Sequence, residues 1–155
     1  MRQLHISNFI SIQIYIPTKM KTLLSILITL GWFIVCNGQV LESKNHATIG
    51  YVKSNGTVEN SHHATEKYIK DDGTIENSHH TTIGYIKSDG RIEDSHHATI
   101  GYLKKDGTVE NSNHGTIGYI KDNGTVEDSH HGTIGYAKGV KKEWIAITYF
   151  FFTDE

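Results

Sequence analysis

The chain has 155 residues, a formal net charge of −2 and a single cysteine, Cys36. One cysteine excludes an internal disulfide framework, and a slightly acidic balance lacks the basic face of a general nucleic-acid binder. A length of this order is that of one domain.

Residues 1–19 read as an upstream extension or a misplaced start, with Met20 the more ordinary beginning. Residues 20–38 read as a secretory signal peptide: Lys21, an apolar stretch from Leu23 to Val35, then small residues at Cys36 and Gly38 before Gln39. That stretch is shorter than the roughly 20 apolar residues a membrane helix needs. Lipidation at Cys36 is the competing reading, against which Val35 stands where a small residue is expected. Cleavage after Gly38 removes the cysteine together with Arg2, Lys19 and Lys21, leaving 12 basic against 17 acidic side chains, about −5. The expected location is secreted, periplasmic or cell-surface, with no transmembrane span in the mature chain and no thiol for catalysis or metal binding.

Residues 39–138 carry one phrase repeated every seventeen positions, and such repetition outranks other sequence signals. In the copy from His46, the β-prone runs TIGYVK and TVENS flank Ser54-Asn55-Gly56. Asn-Gly and Asp-Gly between such runs are strong hairpin signals, because glycine takes positive φ without steric cost. Closing that turn sets Val52 against Val58, Tyr51 against Glu59 and Gly50 against Asn60. Alternation then puts the aliphatic pair on one face, and Ile49, Tyr51, Lys53, Thr57 and Glu59 on the other. Glu66-Lys67 replaces the usual Ile-Gly, which predicts that these positions lie near a rim, since a sealed charge without a partner costs several kcal/mol. The second connection, Ser61-His62-His63-Ala64, is equally tight, so the strands form an antiparallel meander. Val40–Ser43 reads as an orphan second strand and Thr133–Lys138 as an orphan first strand, able to pair and close a ring.

Residues 139–155 form a tail. Trp144 to Phe152 is an almost unbroken apolar and aromatic run, expected to be a strand buried on both faces that plugs or lines the centre. The expected fold class is therefore all-β: a meander of 17-residue hairpin repeats arranged radially, flower-like or as a closed ring, with a buried C-terminal apolar strand.

The phrase IGYIKSDG with TVEDS, His-His or Asn-His connections and the GVKKEWIAITYFFF ending resembles a small secreted repeat family of Bacteroidetes, the five-fold β-flower proteins. The resemblance covers residues 40–152. It implies hairpin petals around an axis in an exported or cell-envelope setting, and it implies no activity. Five petals follow from the glycine turns, six from the histidine connections.

Candidate chemistry rests on three repeated side chains. His46, His63, His80, His97, His114 and His131 share one repeat position, four of them preceded by a second histidine. Imidazole suits zinc, copper or nickel, but adjacent strand residues point apart, so the positions read first as turn formers and second as metal ligands. Tyr51, Tyr68, Tyr85, Tyr102, Tyr119 and Tyr136 would offer an aromatic face for a saccharide, or simply half-buried contact area. Glu42, Glu59, Glu76, Glu93, Glu110 and Glu127 are equivalent, whereas glycoside hydrolysis needs two unequal carboxylates. They read as a charge ladder. No catalytic residue and no cofactor is expected. The expected role is a structural or interaction module whose partner is an envelope protein or a glycan, with a metal- or saccharide-binding module as the alternative and a hydrolase as the remote one.

Overall fold

The computed structural model describes residues 38–153; the readings placed on residues 1–37, Cys36 included, lie outside the described residues. Twelve strands follow one another: β1 (Gln39–Ser43), β2 (Thr48–Val52), β3 (Thr57–Asn60), β4 (Thr65–Ile69), β5 (Thr74–Asn77), β6 (Thr82–Ile86), β7 (Arg91–Asp94), β8 (Thr99–Leu103), β9 (Thr108–Asn111), β10 (Thr116–Ile120), β11 (Thr125–Asp128) and β12 (Thr133–Tyr136). Each pairs antiparallel with the next, and β1 pairs with β12, so the meander closes into a barrel. The two orphan strands meet as the repeat phase predicts, Glu42 opposite Tyr136 and Ser43 opposite Gly135. Closure leaves no strand edge exposed.

The register is the one the glycine turns predict: Gly50 faces Asn60, Tyr51 faces Glu59 and Val52 faces Val58. Val52, Val58, Ile69, Ile75, Ile92, Val109, Ile120 and Val126 form the inner wall and are at most 2 % exposed. Burying each such side chain contributes about 1.5–3 kcal/mol. Both petal counts hold. Five glycine turns are continuous, and a sixth glycine of the same backbone form, Gly139 at φ 80, stands at the seam, where the Gln39 side-chain amide donates to its carbonyl.

Three expectations need correction. The C-terminal run is a helix, not a strand: α1 (Lys142–Ala146) passes directly into a π-helix (Ile147–Phe151). The reason is backbone accounting. In a closed barrel every strand already has two neighbours, so a segment inside finds no open edge and must satisfy its own N–H and C=O groups. It still plugs the centre, with Trp144, Ile145, Ala146 and Ile147 buried in the core. Four consecutive rings then lie over four successive petals. Tyr149 covers Gly135, Phe150 covers Gly118, Phe151 covers Gly101 and Phe152 covers Gly84, so closely that a Cβ there would sit 2.3–2.5 Å from a ring carbon.

The second correction concerns Lys67. It is 3 % exposed, not at a wet rim, and its ammonium donates to the Phe152 carbonyl at the end of the plug. Lysine there occupies the inward position that glycine holds in the other petals, and it supplies the partner that its burial demands.

The third concerns the isoleucines. A bulge interrupts each pairing across a histidine turn, as where Ile75 and Glu76 face Gly84 and Thr82. The extra residue, Ile83, escapes strict alternation; Ile83, Ile100, Ile117 and Ile134 pack against the core, while Ile49 stays 46 % exposed.

Candidate functional site

The outer wall repeats one constellation around the barrel. Tyr51 on β2 stands opposite Glu59 on β3, and Lys53, two residues past the tyrosine on the same face, reaches diagonally to the Glu59 carboxylate. The turn after β3 then returns His63 over the wall. Its ring stacks on Tyr51 with centroids 4.3 Å apart and planes 15° off parallel, and its Nδ1 lies 3.3 Å from Glu59 Oε2. Equivalent stacks join Tyr68 to His80, Tyr85 to His97, Tyr102 to His114 and Tyr119 to His131. Across the seam His46 stacks on Tyr136 and bonds Glu42 at 2.8 Å.

The two kinds of turn have the same backbone. Lys53 N–H donates to Thr57 O and Gly56 N–H to Lys53 O; Asn60 N–H donates to Ala64 O and His63 N–H to Asn60 O. Gly56 has φ 82 and His63 has φ 61, and all six stacked histidines share this left-handed backbone. Asn60 Oδ1 finishes the turn by accepting from the N–H groups of His62 and Ala64. Half of these turns thus use glycine, which costs nothing there, and half use histidine, which does. The turn alone does not ask for imidazole. What imidazole adds is the bond to glutamate and the stack on tyrosine.

The charges are held in a consistent state. Bonding from Lys53, then His63, holds the Glu59 carboxyl below its ordinary value against the opposing effect of burial, and Lys70 and His80 do the same for Glu76. At Glu110 and Glu127 the histidine contributes most, His114 and His131 respectively. At Glu93 burial is the largest influence and pushes upward, but His97, Lys87 and Arg91 together outweigh it. A carboxylate held ionised only accepts, so the geometry suits an imidazole that donates from Nδ1 and turns Nε2 away from the glutamate.

The structure brings each predicted histidine to its tyrosine but gathers no set of histidines. Among the described residues, no group of three His, Cys, Asp or Glu side chains could hold a metal ion. The tyrosines are half-buried; one face of each ring is taken by histidine, and Lys87 and Lys121 lie over Tyr85 and Tyr119 at 4.7 and 5.3 Å. A separate cleft of about 500 Å³ opens at the glycine-turn end, floored by Ile86, Leu103 and Trp144 and edged by Lys105, Asp72 and Glu143. Asp72 is held low there by the Thr74 backbone N–H.

Two residues of consequence escaped the sequence reading. Lys67 was visible as a break in the phrase, but its partner was not. The Tyr149 hydroxyl, the polar tip of an otherwise greasy stretch, lies 2.8 Å from the Glu42 carbonyl and 3.1 Å from the Tyr136 carbonyl, bridging the seam from inside. Burial pushes its phenol up to about 12.

Twelve strands closed on themselves, glycine turns at one end and a repeated inner and outer wall make a petalled ring, and a family model described as 5-fold beta-flower protein matches residues 38–153. The chain belongs to this family. No curated protein and no solved structure matches it. The family description counts five, as do the continuous glycine hairpins, while this member carries six histidine turns and a sixth glycine petal assembled from β12 and β1 across the seam.

Proposed function

We propose that the barrel is a structural or interaction module working outside the cytoplasm, at the cell surface or in the envelope. The observation that supports this most is the sameness of the outer wall. Five glutamates in five petals are all held low by the same kinds of neighbour. General acid–base chemistry needs two groups whose environments drive their pKa values apart, and this wall does the opposite. A repeated rigid surface suits binding or scaffolding instead. The wall also argues against a lipid-facing barrel, because it turns Lys–Glu pairs outward and its aliphatic residues inward, the reverse of a membrane barrel.

The extracytoplasmic setting rests on residues 20–38. Fractionation of cells producing the full chain, with mass spectrometry of its amino end, tests it. The expected product lies in the envelope or medium and begins at Gln39; a cytosolic chain that keeps residues 20–38 overturns the setting. A broad hydrolase screen tests the module role. No turnover is expected, and turnover abolished by Glu59→Gln would replace this reading with a catalytic one.

A further inference from the structure

Histidine at the left-handed turn position is a choice the backbone does not require, and the ring that results is largely open to solvent. The six stacked imidazole side chains are 61–66 % exposed although each is fixed by glutamate and tyrosine. A carboxylate on Nδ1 is the arrangement that sets the tautomer and orientation of a metal-binding histidine, leaving Nε2 as the ligand atom. The support that a ligating histidine needs is therefore already built, six times over.

We propose that these six imidazoles are pre-oriented ligands for a borderline divalent ion such as zinc, and that a second copy of this chain supplies the second imidazole on each ion, with water in the remaining positions. One copy cannot do so alone. Neighbouring histidine turns are two strand spacings apart, about 10 Å, whereas two imidazoles on one ion, each about 2 Å from it, must approach within about 4 Å. An ion taken by His63 of one molecule can therefore share its remaining positions only with a ligand from outside, and the most abundant matching ligand is the same ring on another molecule. Six such positions spaced around one barrel make the association multivalent, so weak single contacts sum to a stable one. The first histidines of the pairs, His62, His79, His96 and His130, set their Nδ1 3.2–3.3 Å from the preceding serine hydroxyl and not against a repeat glutamate. The proposal assigns them no ligand role. It deepens the interaction-module reading by naming a partner.

Sedimentation of the purified protein with and without zinc chloride tests the proposal. The mass is expected to double or more with zinc and to return on chelation. The rise is expected to vanish when His46, His63, His80, His97, His114 and His131 become Asn, a residue that tolerates the left-handed backbone. It is expected to persist when His62, His79, His96 and His130 become Ala. An unchanged mass at millimolar zinc, or an undiminished rise in the six-Asn variant, overturns the proposal. Long-range proton–nitrogen spectra of the unaltered protein give a second test that needs no variant. Six rings protonated on Nδ1, with Nε2 signals moved by zinc, are expected; rings protonated on Nε2 and indifferent to zinc overturn it. Either failure leaves the fractionation result untouched.

Discussion

His63 sits at φ 61, where a side chain crowds its own backbone, and the same holds at five equivalent positions. Removing the imidazole by His63→Ala loses both contacts and keeps the crowding, whereas His63→Gly loses the contacts and relieves it. The glycine variant is accordingly expected to be more stable than the alanine variant by about 1 kcal/mol, read from denaturant midpoints; equal midpoints would show that the turn carries no strain. The glutamates bonded by these histidines set an acid limit. Their folded values lie below 4.5, so as pH falls the unfolded chain takes up protons first. Their contribution to stability is complete above the ordinary carboxylate range and disappears as pH drops through the lowered values. Unfolding midpoints are expected to fall below about pH 4.5, and replacing Glu59, Glu76, Glu93, Glu110 and Glu127 by Gln is expected to flatten that fall. At this scale the sequence showed which residues recur, and the diagonal reach of Lys53 to Glu59 followed from register alone. It hid the equivalence of Gly56 and His63. The parallel between Lys53-Ser54-Asn55-Gly56 and Asn60-Ser61-His62-His63 is one of backbone, and only the positive φ at His63 exposes it.

Among the elements, the plug depends on what meets its ends. Lys67 donates to the Phe152 carbonyl at its end from the barrel wall, and Lys142 is paired to Asp122 at 2.6 Å near its start. Lys67→Met keeps the volume and discards the donor, leaving a buried carbonyl short of a partner. A loss of about 1–3 kcal/mol is expected in thermal or denaturant unfolding, and an unchanged midpoint would assign the site to packing alone. The strands were legible because their determinants are local: a glycine that must take positive φ, and an alternation of period two on either side of it. Trp144 to Phe152 was not legible as a helix. An apolar run without period fits a buried strand and a buried helix equally, and the choice is made by a ring that offers no free edge. The four rings over Gly135, Gly118, Gly101 and Gly84 show the same dependence on context. Those glycines read as gaps in a strand pattern until the side chains that fill them are placed.

For the molecule as a whole, the seam is the thinnest junction. β1 and β12 share two register pairs, against three or four in each of the other pairings. The Tyr149 hydroxyl holds this junction from between the Glu42 and Tyr136 carbonyls, its one proton shared between them. Tyr149→Phe is expected to speed amide exchange in β1 and β12 by about tenfold or more while β6 to β9 change little, since losing one buried hydrogen-bond donor costs on the order of 1–3 kcal/mol. A uniform change across all strands would show instead that the ring opens only by global unfolding. The same hydroxyl predicts an alkaline limit. Its folded value is raised to about 12, so its contribution holds below the ordinary phenol range and is lost as pH rises through that raised value.

Glu42 and Tyr149 are 107 positions apart, and the later one is made after every strand of the ring. A polypeptide that has emerged only as far as β11 therefore has every ordinary hairpin available but neither the final strand nor the filling for its lumen. Truncation after Asp128 removes β12 and the plug together, leaving two raw edges and a hollow interior, which favours proteolysis over a half-stable product. Emergence of the plug and completion of the ring become one event.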